Sequence, residues 1–426
     1  MHYGLYRLLS RLVFATAFPC FLIYCIFTGK QWAELSERLG FYKKIEPAGK
    51  NPRIWLHAAS VGEVQVARAL IAEIKKQIPH ASLVLSTMTE QGQLVARKQL
   101  GNKIRCIYAP LDSPGIVKRA LQTIRPSAYI CLETELWPNI LRQARQNGAK
   151  LFLLNARLSE KSFTRYSKVR GLAQDVLANF STISAILPDD ADRYKKIGAP
   201  PGKVVVNGNA KYEITTTGDN QVISEQYRRQ LKISDQTILV AGSTHTGEEE
   251  ILLKTYQNLK KVIKNLIWLV APRHLERLPE IESAFVADNI GYQLLSNAKQ
   301  QGRREDVVII DTMGDLAEIY SLASYVFCGG SLVDRGGHNL MEAAIWGKPV
   351  FYGPSMRDFL DAKDLLESVN AGFMVNSAGE LSNAIIEMYN RPEEYEQIAQ
   401  RARQIALAQQ GSARRQIKIV TRTIYS

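Results

Sequence analysis

The 426-residue chain is predicted to be an α/β protein built from two doubly wound domains, and three observations lead there. Continuous apolar runs of strand length alternate with helical periodicity after Lys50, which implies parallel sheets covered on both faces. The same alternation resumes in the second half, and a polar, aperiodic stretch separates the two. Length agrees, because a single hydrophobic core stops growing beyond roughly 250–300 residues.

The opening segment stands apart. Leu12 to Thr28 reads LVFATAFPCFLIYCIFT without a charge, close to the lower length limit for a membrane span. Arg7 and Arg11 precede it while Lys30 and Arg38 follow, so charge leaves its orientation open. Bulky residues follow where a signal peptidase needs small ones, which favours an uncleaved membrane anchor over residues 1–30 to a cleaved leader.

The first α/β domain is expected over residues 31–214, with strands at Ile54–Ala58, Ser82–Thr87, Arg105–Ala109, Ala128–Glu133 and Leu151–Ala156. TTTGDNQVIS, residues 215–224, follows neither the helical nor the strand period and is the expected linker. The second domain is expected over 225–426, with strands at Thr237–Gly242, Leu266–Ala271, Val307–Ile310, Tyr325–Gly330 and Pro349–Gly353. The chain shows no low-complexity tract and no solenoid-like repeat.

With 46% hydrophobic and 22% charged residues, the composition excludes a disordered or fibrous body. Five cysteines, an odd number without a CxxC pair, do not make a disulfide framework and fit a reducing compartment. A net charge of +13 and a pI near 9.4 favour an anionic partner or a diffusely basic surface.

Ligands of doubly wound sheets bind at the carboxyl ends of the strands, so polar residues there are the site candidates. In the first half these are the turn His57 to Glu63, then Ser86 to Glu90, Glu133 to Asn139, and Asn155 to Arg157. Glu63 and the pair Glu133 and Glu135 are equally placed to cap helices. In the second half, Gly329-Gly330-Ser331 and the run Asp334 to Ala344 lead from a strand to a helix start, where backbone N–H groups attract phosphate. Glu342 can accept hydrogen bonds from ribose hydroxyls. The turns Gly242 to His245, Pro272-Arg273-His274 and Met313-Gly314-Asp315 resemble it in kind, with His245, His274 and His338 read as turn or packing residues. No compact metal spacing, GxSxG elbow or P-loop occurs, and Asp190-Ala191-Asp192 opens a helix and is read as its cap. No metal or cofactor is expected.

Seven segments together carry a resemblance: HAASVGEV, ETELWPN, LLNARLS, GNAKYE, AGSTHTGEEE, APRH and GGHNLMEAA. They resemble the Kdo (3-deoxy-D-manno-octulosonic acid) transferases of lipopolysaccharide biosynthesis over nearly the whole chain. The resemblance implies a GT-B fold, with an acceptor domain followed by a donor domain across a cleft. It also implies inverting transfer of Kdo from CMP-Kdo to a lipid A precursor, lipid IVA. By the same resemblance Glu63 is the general base, and Glu133 and Lys211 stabilise the transition state. CMP would contact Pro272, Arg273, Met313, Gly314, Asp315, Asn339, Leu340, Met341 and Glu342. The basic balance would then hold an inner-membrane enzyme against an anionic surface from the cytoplasmic side, through Lys30, Arg38, Lys43 and Lys44, with no role for nucleic acid. A nucleotide-sugar epimerase, which needs no anchor, and an exported two-domain binding protein are the competing readings.

Overall fold

The computed structural model describes residues 2–28, 32–43, 49, 51–101, 103–212 and 220–425. The chain divides into two compact units, one of residues 1–213 with 410–426 and one of 214–409.

The first unit holds strands β1 (Arg53–His57), β2 (Ser82–Thr87), β3 (Arg105–Tyr108), β4 (Ala128–Leu132), β5 (Lys150–Ala156), β6 (Thr182–Ala185) and β7 (Val204–Val206). All pair in parallel, in the order β3-β2-β1-β4-β5-β6-β7. Successive side chains of a strand leave on opposite faces, and both faces here are covered. Ile54 and Leu56 enter one core with Leu70, Ile71 and Ile74 of the helix Val61–Gln77. Trp55 enters the other, with Tyr129 and Leu121. This is why β1 is buried along its whole length rather than at alternate residues.

The second unit holds β8 (Thr237–Thr244), β9 (Leu266–Pro272), β10 (Tyr292–Leu294), β11 (Val307–Ile309), β12 (Tyr325–Cys328), β13 (Val350–Tyr352) and β14 (Gly372–Met374). They form a second parallel sheet in the order β10-β11-β9-β8-β12-β13-β14. Two doubly wound parallel-sheet units are therefore present.

Two expectations meet a different structure. The chain's end does not stay with the second half, because the helix Ser412–Tyr425 belongs to the first unit. Its Ala413, Ile417 and Val420, at helical spacing, bury in the core that also holds the Val61–Gln77 helix. The expected linker is shorter, since a helix runs Asn220–Gln230 and Ile223 is buried; residues 215–219 lie outside the described residues. At the other end, residues His2–Thr28 are helical with Pro19 inside, yet among the described residues no helix is long and apolar enough to cross a membrane. Arg7 and Arg11 leave only the run after them, at the lower limit of a span. Lys30 and Lys44 lie outside the described residues.

The amino-terminal helix is tied to the first unit by its tyrosines. Tyr3 donates to Asn139 Oδ1 (3.0 Å) and Tyr6 to Asp112 Oδ2 (2.9 Å). Asp112 also accepts the backbone N–H groups of Asn139 and Ile140 at 3.0 and 2.9 Å, and so caps the helix Pro138–Gln146 from a distant loop.

Candidate functional site

Each sheet reverses its winding at one place, between β1 and β4 in the first unit and between β8 and β12 in the second. Crevices beyond the carboxyl ends of strands at such points are the usual ligand sites.

At the first, Ser60 caps the helix that follows β1 and accepts from the Glu63 N–H, while Glu63 reaches back. Its Oε2 accepts from the Ala59 N–H at 2.8 Å and its Oε1 from the Ser60 hydroxyl at 3.1 Å. The capping reading of Glu63 is thus realised as a variant of the reciprocal box, in which the carboxylate takes the N–H before the cap and the cap's own hydroxyl. A capping carboxylate alone would titrate low. Here burial first, then the charges of Glu133 and Glu135, outweigh the two hydrogen bonds and push the carboxyl up to about 8.

Glu133 follows β4 with a left-handed backbone (φ 53°), a conformation costing a non-glycine residue about 1–3 kcal/mol. The turn is locked by its N–H on the Leu154 carbonyl and by the Tyr194 hydroxyl donating to its own carbonyl. Glu135 is placed differently. Burial alone would raise its carboxyl, but the His57 ring at 3.6 Å and the Trp137 indole N–H at 2.6 Å bring it below the ordinary value. His57 Nδ1 in turn lies 3.0 Å from Ser86 Oγ. One carboxyl with raised proton affinity therefore sits close to another that is held as an anion.

Lys211 belongs to the same unit, in the short turn Ala210–Tyr212. Buried Asn155, also left-handed (φ 53°), accepts from the Ala210 N–H at 2.8 Å, and its own N–H is held by Gln416 of the last helix. Gln416 and Arg415 also donate to the carbonyls of Gly208 and Asn207. The carboxyl-terminal helix thus fixes the turn that carries Lys211, a role nothing in the sequence indicated. Asp190, read as a cap, is buried and accepts from the Leu158 N–H at 2.8 Å.

In the second unit the turn after β12 holds a carboxylate of the protein's own. Fully buried Glu248 accepts from the N–H groups of Gly330 (2.7 Å), Ser331 (3.0 Å), Leu332 (3.0 Å) and His245 (2.9 Å). The expectation that Gly329-Gly330-Ser331 offers open N–H groups to phosphate is therefore corrected: Glu248 already fills that nest. Gly330 has φ 67°, and a Cβ there would lie 3.2 Å from both His245 and His338. Those two rings stack, with Nε2 atoms 3.1 Å apart. Burial, with the charge of Arg273, takes His338 down to about 4, so one neutral ring donates to the other.

Arg273 itself is exposed after Pro272 at the end of β9, its N–H on the Thr244 carbonyl. Glu342 lies in a single helical turn, Met341–Ala344; burial raises its carboxyl, opposed by the Asn339 side chain and by Arg273. Met341 N–H is taken by Asn339 Oδ1, and Leu340 and Met341 are core residues. Asn339 and Glu342 are thus the polar members of that segment.

Met313 is 80% exposed, and Gly314 beside it has φ 99°. Asp315 is occupied inside the unit by Lys299 Nζ at 2.6 Å and by the Thr312 and Tyr227 hydroxyls. Burial would raise its carboxyl, but these donors take it lower. Its carboxylate shapes the turn. Asp315→Ala is accordingly expected to cost about 2 kcal/mol in urea unfolding, whereas Met313→Ala stays within about 0.5 kcal/mol.

A family model described as 3-deoxy-D-manno-octulosonic-acid transferase (kdotransferase) matches residues 33–214. A 3-deoxy-D-manno-octulosonic acid transferase of Haemophilus influenzae is 32% identical over 390 residues, which are 91% of this chain and 90% of that protein. The chain belongs to the Kdo transferase family. A Kdo transferase of Chlamydophila psittaci is 31% identical over 92% of this chain and 90% of its own length. A bifunctional glycosyltransferase/methyltransferase of Fusobacterium nucleatum is 33% identical over 81% of this chain, which spans only 54% of that longer relative. Among solved structures, a UDP-GlcNAc 2-epimerase from Neisseria meningitidis shares the fold, with a TM-score of 0.56 and 14% identity over 87% of this chain and 99% of that one. Fold is thus common to epimerases and Kdo transferases, and sequence identity separates them.

Proposed function

We propose that the protein transfers Kdo from CMP-Kdo to the lipid A precursor lipid IVA by a single displacement with inversion. The observation carrying this reading is Glu63: a buried carboxyl beside two other carboxyls, at the winding reversal of the first sheet, in a member of the Kdo transferase family.

Ionised Glu63 takes the proton of an acceptor sugar hydroxyl as that oxygen attacks the anomeric carbon, and the bond to the CMP phosphate breaks on the opposite face. A base titrating near 8 holds the proton far better than an ordinary carboxylate. Glu133 and Lys211 stabilise the transition state, Lys211 by facing the Kdo carboxylate or the departing phosphate. Arg273, Met313, Gly314, Asn339 and Glu342 take the donor's CMP moiety, while Pro272, Asp315, Leu340 and Met341 shape the turns that hold it. A monophosphate leaving group asks for less countercharge than a diphosphate, so the reaction proceeds without a divalent ion.

The amino-terminal helix attaches the protein to the cytoplasmic face of the inner membrane. Leu5, Leu8 and Leu12 are about half exposed or more, and Arg7 and Arg11 lie among them.

Purified full-length protein given CMP-Kdo and lipid IVA is expected to raise the acceptor's mass by whole Kdo residues, with EDTA leaving the rate unchanged. A folded protein that transfers no Kdo overturns the reading, and loss of transfer in EDTA overturns its metal-free chemistry.

A further inference from the structure

We infer that a groove between the amino-terminal helix and the Leu111–Ser113 turn takes one acyl chain of the lipid acceptor, an inference that rests on the acceptor proposed above. The groove has a volume of about 830 Å³, and Leu9, Val13, Phe14, Phe18 and Leu111 give it apolar walls. That is ample for a ligand, since binding cavities run from roughly 300 to 1,000 Å³.

Three observations select an acyl chain over other occupants. The first is the groove's floor. Asp112 lines it, but its carboxylate is committed to two N–H groups of the Pro138–Gln146 helix start and to the Tyr6 hydroxyl. The one acidic group among the described residues of the wall is therefore satisfied from behind, and what remains there for an occupant is mainly hydrocarbon. The second is Arg38, at the groove's edge. Its Nε–H is buried without a hydrogen-bond partner among the described residues, while its Nη2 is held by the Met88 carbonyl at 2.8 Å and the Glu34 carboxylate at 3.3 Å. A buried orphan donor is costly, and the carbonyl of an acyl ester or amide would satisfy it. The third is continuity with the carboxylates. Leu111 and Asp112 also wall a second cavity, of about 50 Å³, which reaches His57 and Trp137, the two residues that hold Glu135. A chain lying in the groove starts at the catalytic edge of the first sheet and runs along the helix.

The helix then presents two different surfaces to lipid. Leu9, Val13 and Phe14 line the groove, which is open enough to leave Leu9 and Val13 exposed, whereas the equally exposed Leu5, Leu8 and Leu12 lie outside its lining. The distinction makes the inference testable. Val13→Trp fills the groove; Leu12→Trp enlarges only the outer surface.

Full-length wild type and both variants would be compared for Kdo transfer to lipid IVA and to its chemically deacylated counterpart. Val13→Trp is expected to raise KM for the acylated acceptor at least about tenfold, the equivalent of two buried methylenes, and to leave kcat/KM for the deacylated acceptor within about twofold. Equal losses on both acceptors, no loss on either, or the same effect from Leu12→Trp would overturn the groove. Transfer to neither acceptor by wild type would instead sink the proposed reaction. A diazirine-bearing fatty acid then tests the groove alone: label on Leu9, Val13 or Phe14 supports it. Label confined to Leu5, Leu8 and Leu12, or cross-links at Val13 between two copies of the chain, rejects it.

Discussion

Glu63→Gln is expected to lower kcat for Kdo transfer by roughly 10²–10⁴-fold, the range that a positioned general base contributes. KM for either substrate should change little, because Gln has nearly the shape of Glu and still accepts hydrogen bonds. The substitution separates the proposed role of Glu63 as base from its observed role in the cap. A capping box tolerates Gln in place of Glu, so a residue serving only the Ser60 cap would lose little of either stability or rate. Steady-state kinetics on a variant with unchanged circular dichroism decides. Activity within about threefold of wild type would remove Glu63 from the chemistry.

As the proposed base, the same carboxyl is expected to set the pH dependence. With Glu63 titrating at about 8, kcat/KM should climb from pH 6 and level off above about pH 8.5. Glu133→Gln removes one of the neighbouring charges that raise Glu63, so the inflection moves to lower pH. An inflection near the ordinary value of 4.5 in wild type would contradict the environment described for Glu63. Stability carries the opposite sign. The folded state binds the Glu63 proton more tightly than the unfolded chain does, so its contribution is complete below about pH 4.5 and lost as pH rises through about 8. Glu63→Gln has no such proton to lose. Relative to wild type it should gain on the order of 4 kcal/mol between pH 5 and pH 9, at about 1.4 kcal/mol per pH unit, read from urea midpoints.

What the sequence disclosed follows burial. The long strands, such as Ser82–Thr87 and Leu266–Pro272, are buried on both faces and announce themselves as unbroken apolar runs. The strands it concealed are short and lie at or next to sheet edges: Thr182–Ala185, Val204–Val206, Tyr292–Leu294 and Gly372–Met374. Val205 and Val206 are exposed, and no run of three or four residues carries a period to read. Helix Ser412–Tyr425 has a clear amphipathic pattern, but a pattern names a face and not the core that receives it. For the site, the strand-end rule and the family motifs converged on the same turns. The partners of those turns could not be read, because they come from remote positions: Asn139 and Asp112, Asn155 and Gln416, Asp315 and Lys299. Hydrogen bonds across such separations are products of the fold, and no local spacing encodes them.

Glu248 is the sharpest case, and its removal should be the most damaging change outside the chemistry. In Glu248→Ala four backbone N–H groups lose their acceptor, those of His245, Gly330, Ser331 and Leu332. At about 1–3 kcal/mol for each buried donor left unsatisfied, and with water entering to meet some of them, a loss of about 3 kcal/mol or more is expected in urea unfolding. Glu248→Gln restores the size and part of the accepting capacity, so it should fall between the variant and wild type. A cavity remains in Glu248→Ala where a carboxylate sat, facing converging N–H groups at the end of a parallel strand. Formate or acetate should therefore recover part of the lost stability in that variant and leave wild type unmoved. Recovery would demonstrate that the glycine turn is an anion nest by construction, as its strand-to-helix pattern implied, whose anion the chain supplies. No recovery, together with a loss below about 1 kcal/mol, would mean that the four N–H groups find other acceptors and that Glu248 does not hold the turn. The distinction bears on the proposed donor site, because a nest already filled by Glu248 is closed to an external phosphate, and in the proposed reaction that phosphate would fall to Arg273 and the segment beginning at Asn339.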